Sequence, residues 1–131
     1  MLTILDLEDI ATARLQDAHV LHAAARYDGA FYLAGYSLEL ALKSSICKTL
    51  NWQEFPATNK EFERFRSFKV HDLEVLLKLS GREAAIKVQL LDAWLTAKNW
   101  NPELRYLPIG FASPDSTREL LDAVSELMGA L

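Results

Sequence analysis

One cysteine, three histidines, four prolines and five glycines are all that 131 residues contain of the types that mark disulfide scaffolds, metal centres and turn-rich β folds. A single thiol, Cys47, closes no internal disulfide, and the chain is long enough to bury a core without one. The glycines stand singly, at Gly29, Gly35, Gly81, Gly110 and Gly129, so no glycine-rich phosphate loop is present. His19 and His22 are three residues apart, point about 60° apart on a helix and have no third ligand close by, so no metal is expected. No cofactor motif stands out, and none is expected. Apolar runs are short, and Asp6 follows the first of them with no basic residue ahead of it, which argues against a membrane span and a secretory leader. These absences together predict a cytoplasmic protein with no membrane role.

Also missing is any segment that alternates apolar and polar residues like a half-buried strand. What the chain has instead is helical periodicity. Residues 6–25 place Leu7, Ile10, Ala11, Ala18 and Leu21 on one face, with Arg14 in the middle of it. Residues 26–48 are apolar on nearly every side, with Phe31, Leu38, Leu42 and Ile46 in one sector and Leu33, Leu40 and Cys47 in another. A strip of small residues (Ala34, Ser37, Ala41, Ser44, Ser45) runs between them. Such a helix is the central element of a bundle. The break at Tyr27, Asp28 and Gly29, with Asp28 as N-cap, predicts an antiparallel hairpin of these two helices.

Residues 51–70 have no clean period and read as a long connection with a helical turn near residues 60–66. Residues 71–80 form a short third helix that stops at Gly81. A fourth helix spans 82–100, with Ile86, Leu90, Ala93, Trp94, Ala97 and Trp100 on one face, and with Val88, Leu91 and Leu95 as a second apolar patch. Asn101-Pro102 ends it, and a loop carries Arg105-Tyr106 to the last helix, whose capping-box spacing runs from Ser116 to Glu119. The expected fold is all-α: a single domain, residues 1–131, forming an up-and-down bundle of four to five helices around a central antiparallel hairpin.

The one carboxylate in mid-course of the central helix, Glu39, is expected indoors, where it needs a partner. Lys43, one turn on, is the local candidate, and Arg14 on the apolar face of the first helix is the other. The plainer reading of Arg14 is a side chain that snorkels from a shallow face. Net charge is −4, with acidic ends and a basic middle over residues 43–105. No dense Lys/Arg cluster occurs, so the charge permits nucleic-acid binding without asserting it.

The order of these signals resembles the HEPN family of small helical bundles. Its carriers are Ala13 to Ala18 (A-R-L-Q-D-A), the stretch RYDGAFYLAGYSLELALK, His71-Asp72-Leu73 followed by Leu76-Leu77, and Arg105-Tyr106 followed by Pro108. The resemblance implies a homodimer with a polar groove near its seam. It also implies a partner of the minimal nucleotidyltransferase type in a prokaryotic toxin–antitoxin pair, and a nucleotide or RNA ligand. Many members are metal-independent endoribonucleases with an R-x(4–6)-H motif on or near the last helix. This chain departs from that pattern: Arg118 has no histidine after it, whereas Arg66 and His71 have the spacing earlier in the chain.

A ribonuclease needs a base for the 2′-hydroxyl, an acid for the leaving oxygen and a cation for the phosphorane, roles suited to His and Arg. Arg66 and His71 are the candidate catalytic pair, with Arg105, Tyr106 and Lys69 as candidate binding residues. The plainer reading makes His71 a helix-cap neighbour and Arg66 a solvated loop charge. For the tryptophans, packing is the plainer reading and base stacking the functional one. The favoured expectation is a nucleotide-, RNA- or nucleotidyltransferase-binding module. An endoribonuclease using Arg66 and His71 is the alternative.

Overall fold

In a computed structural model describing all residues, Met1–Leu131, six α-helices carry the fold: α1 (Ile4–Ala23), α2 (Tyr27–Leu50), α3 (Leu73–Ser80), α4 (Glu83–Gln89), α5 (Leu91–Ala97) and α6 (Pro114–Ala130). The all-α bundle is as the periodicity predicts. A minimal antiparallel pairing of β1 (Leu2–Thr3) with β2 (Glu54–Phe55) is the only sheet. One cluster of 25 buried residues draws on all six helices, so the elements share a core. No helix is long and apolar enough to cross a membrane.

α2 is the axis. Thirteen of its residues are buried, including the whole small strip of Ala34, Ser37, Ala41, Ser44 and Ser45. Small side chains let neighbouring helices approach closely, and Ser37 Oγ satisfies itself on the Leu33 carbonyl at 2.9 Å. α1 runs antiparallel along it and is clamped by Glu8, whose Oε1 forms an ion pair with Lys48 Nζ at 2.6 Å and accepts from Ser44 Oγ at 3.1 Å. Lys48 holds the Glu8 carboxyl below its ordinary pKa.

The hairpin break lies earlier than Tyr27–Gly29. α1 ends at Ala23, Ala25 takes a left-handed conformation (φ 60°), and Arg26 N donates back to Leu21 O at 2.8 Å. That is helix-stopping geometry normally marked by glycine. Here alanine adopts it, at a cost of about 1 kcal/mol, so no residue announces it. Asp28 consequently sits inside the first turn of α2 and does not cap it.

The predicted fourth helix is two. At Leu90 (φ −133°) the chain leaves helical geometry between α4 and α5. The bend lets α5 pack on α6 while Lys87 of α4 stays paired with Glu74 of α3. Trp94 Nε1 donates to the same Glu74 at 2.8 Å, which fastens α5 as well. Trp100 lies beyond α5. Val88, Leu91 and Leu95 are exposed. The last helix starts three residues before the expected box: Ser113 is the N-cap, exchanging hydrogen bonds with Ser116, and Pro114 fills the first helical position.

The connection over residues 51–72 is pinned by aromatic packing. Trp52 stacks at angles against Phe55, Phe65 and Phe68, with ring centroids 4.9–6.3 Å apart. Short 3₁₀ turns at Glu61–Arg64 and Arg66–Phe68 shape it, and Glu61 Oε2 accepts from the Ala57 and Thr58 amides.

Gly35 is the one helical glycine whose lack of a side chain is structurally demanded, because a Cβ there would overlap the Trp100 ring. Gly35→Ala is therefore expected to lower stability by about 1–3 kcal/mol in urea denaturation and to shift the tryptophan emission of the folded state. Unchanged stability and emission would mean that Trp100 does not seat on α2.

Candidate functional site

One face of α2 leaves the core and becomes a wall. Tyr32, Tyr36, Glu39 and Lys43 follow one another at four-, three- and four-residue steps, a single stripe along the helix. Tyr32 and Tyr36 are stacked at 7° with centroids 6.5 Å apart, and Trp100 tilts against Tyr32 at 5.7 Å. Below the tyrosines the Glu39 side chain is 3% exposed.

Its two oxygens are separately engaged. Lys43 Nζ donates to Oε2 at 3.3 Å and His71 Nδ1 to Oε1 at 3.1 Å. A carboxylate only accepts, so Nδ1 carries the hydrogen. Lys43 is 13% exposed and His71 60%, so one partner is nearly indoors and the other reaches solvent. Nδ1 being committed, the ring presents its Nε2 edge outward.

His71 is held there by the start of α3. Asp72 caps that helix, accepting from Glu74 N at 2.9 Å and Val75 N at 3.2 Å, and Leu73 is fully buried. The residue just before the cap is thereby fixed against α2. The opposite wall is the segment after α5. Asn101 caps a 3₁₀ turn over Pro102–Tyr106, its Oδ1 accepting from Glu103 N at 2.9 Å. The following loop is tethered to the start of α2, where Asp28 accepts from Gly110 N at 2.7 Å and Ala112 N at 3.0 Å and Phe31 meets Phe111 edge-on at 5.7 Å.

Between these walls lies a cleft of about 560 Å³, lined by Tyr32, Tyr36, Glu39, His71, Lys98, Trp100 and Arg105 together with Asn99, Asn101, Asp72 and Glu103. Arg105 lies over the Tyr106 ring at 5.0 Å. The Tyr106 and Tyr32 phenols beside it push its already high pKa further up, so the guanidinium is permanently charged. Burial, then the Glu39 charge, pushes the Tyr36 phenol up, which leaves it a neutral O–H donor. Trp100 Nε1 is buried with no acceptor, an orphan donor in the cleft wall.

Comparison with protein-family models, curated proteins and solved structures returns no match for this chain. The site is therefore read from its own chemistry. It offers cations for an anionic group, aromatic faces for a planar one, and amide and carboxylate groups for polar edges.

The sequence-derived candidates fall on both sides of this picture. His71 and Arg105 share the cleft; Arg66 is exposed on its 3₁₀ turn and lines neither this cleft nor the smaller one beyond Glu39. Lys69 lines that smaller cleft and donates to Asn59 Oδ1 at 2.6 Å. Tyr106 is exposed and touches the site only through Arg105. Glu39 and Lys43 pair as expected. Arg14 does not join them: its Nε faces Asp17 Oδ2 at 3.2 Å, one turn along its own helix, without hydrogen-bond geometry. Tyr32, Tyr36 and Lys98 line the cleft without having been sequence-derived candidates, although the α2 stripe is visible in the spacing; Trp100, weighed for packing or base stacking, is buried and lines it too. Cys47 is fully buried, and burial pushes its thiol up, as for a packing residue. His22 bonds the Pro114 carbonyl at 3.3 Å.

Removing Lys43 leaves one oxygen of the buried Glu39 carboxylate without its donor, with His71 still on the other, so Lys43→Met is expected to cost about 3 kcal/mol. Combining it with Glu39→Gln should cost less than the sum of the two single changes. Arg14→Met should stay within about 0.5 kcal/mol, the level of surface sites. Urea denaturation of the full cycle checks this; an Arg14 effect equal to that of Lys43 would reassign the partner.

Proposed function

We propose that the chain is a HEPN-like binding module whose cleft between α2 and the 98–105 segment takes a nucleotide or a single-stranded RNA segment. The observation that carries this is the union in one cleft of Arg105 and Lys98 with Tyr32, Tyr36 and Trp100. Cations meet phosphate, and aromatic faces meet bases. Asp72 and Glu103 line the same cleft, which a bare polyanion would avoid. A nucleotide accommodates them, because the exocyclic amines of bases donate to carboxylates.

In this reading the module works in a prokaryotic toxin–antitoxin type pair with a minimal nucleotidyltransferase. It associates with a second copy through the exposed Val88, Leu91 and Leu95 patch.

Trp100 makes the binding test direct. Titration with nucleoside monophosphates and short RNA should quench tryptophan emission, and Arg105→Ala should weaken binding at least tenfold, in keeping with a lost charge-assisted pair of about 1.5–3 kcal/mol. Absence of any saturable response to either ligand class would refute the reading.

A second reading, metal-independent RNA cleavage, is favoured by one observation: His71 has Nδ1 tied to a buried carboxylate and its Nε2 edge free. Nε2 would take the 2′-hydroxyl proton while the 2′-oxygen attacks phosphorus; the 5′-oxygen departs and gains a proton from water. In one chain the arginine that shares a cleft with His71 is Arg105, in place of Arg66. In a chelator-containing assay, cleavage should fall at least a hundredfold on His71→Ala and also fall on Arg105→Ala. Wild-type protein that leaves RNA intact removes this second reading and leaves the first.

A further inference from the structure

The Glu39–His71 pair is the partition between two clefts. On its far side, toward the 55–70 connection, lies a second hollow of about 300 Å³ that shares Tyr36, Glu39 and His71 with the first. Its remaining wall has a distinct chemistry: Lys43 and Lys69 supply charge, Asn59 an amide, and Phe55, Pro56 and Phe62 apolar surface. Lys43 is committed to Glu39 and lies 5.5 Å from the Phe55 ring centroid, whereas Lys69 is exposed and bonded only to the neutral Asn59. Unlike the first cleft, this one carries no carboxylate apart from Glu39, whose oxygens are engaged by Lys43 and His71.

We propose that the two hollows are consecutive subsites for a single-stranded dinucleotide step, with the linking phosphate crossing the rim at His71. This rests on the nucleotide-binding reading above and adds to it a ligand length and a direction of extension. One nucleotide lies on the Tyr32–Trp100 side, where aromatic faces and polar edges can read a base. Its 5′ neighbour occupies the apolar hollow, with the 5′-terminal phosphate of that neighbour approaching Lys69. The aromatic packing of Trp52 on Phe55, Phe65 and Phe68 keeps this second wall formed in the free protein, so the extension requires no folding of the connection.

The probes are adenosine 5′-monophosphate and the 5′-phosphorylated adenosine dinucleotide with 2′-O-methyl riboses, which is inert to transfer from the 2′-oxygen. Tryptophan quenching measures both. The dinucleotide is expected to bind at least tenfold tighter than the monophosphate, and Lys69→Ala and Lys69→Glu should reduce that ratio, the charge reversal more than the truncation. Lys69 is an exposed side chain, so both variants are expected to fold. Equal affinities for the two probes, or a ratio unmoved by both Lys69 variants, overturns the two-subsite proposal while leaving mononucleotide binding in place. Failure of both probes to bind wild-type protein overturns the underlying reading as well.

Discussion

A carboxylate buried in the central helix of a bundle dictates much of what surrounds it. Desolvating Glu39 costs several kcal/mol unless both oxygens find donors. One donor is local, since Lys43 sits one turn along α2. The other comes from a different element, so the 51–72 connection must bring His71 back to α2 and α3 must start there. The aromatic cluster under Trp52, the β1–β2 pairing and the Asp72 cap each hold part of that path. The same contact that satisfies a structural need also sets the tautomer of the exposed imidazole and places it at the junction of two clefts. The burial of Glu39 and the placement of His71 are therefore set by one geometry.

Helix positions were legible wherever apolar periodicity ran unbroken, as in α1, α2, α3 and α6. Boundaries were less so where the usual signal residue was missing or duplicated. Ala25 ends the first hairpin helix in a conformation that normally asks for glycine, while Asp28 and Gly29 next to it look like the break. Leu90 bends α4 from α5 under tertiary demand from α6 and Glu74, with no glycine or proline to mark it. The expected capping spacing began at Ser116, but Ser113, three residues earlier, is the N-cap, and Pro114 occupies the first helical position.

The site was half legible for a related reason. Glu39 and Lys43 share a helix, so spacing alone pairs them. The third member, His71, is 32 residues away and comes to Glu39 only through the fold. Arg14 illustrates the converse error: a helical wheel places it on the apolar face, but side-chain direction and the nearer Asp17 determine where its charge goes. Arg66 and His71 have a suggestive spacing in sequence, yet the 3₁₀ turn at Arg66–Phe68 carries Arg66 to an exposed position outside both clefts. The arginine that does share a cleft with His71 is Arg105, held by a loop tethered to Asp28 more than seventy residues earlier.

Charge then limits what such a site can accept. A chain with net charge −4 draws no polyanion by its overall field, and the first cleft sets Asp72 and Glu103 against Lys98 and Arg105. In the proposed nucleotide reading, recognition there would come from matched neighbours at short range, with phosphate on the cations and donors on the carboxylates. A cleft of this kind neutralises few phosphates, so the salt dependence of binding would be shallow, with a slope of roughly −0.7 per phosphate contacted for a single strand. Discrimination among bases, in the proposed reading, would rest on the stacked tyrosines and the Asn99 and Asn101 amides of the cleft wall, since the Trp100 indole N–H is itself buried.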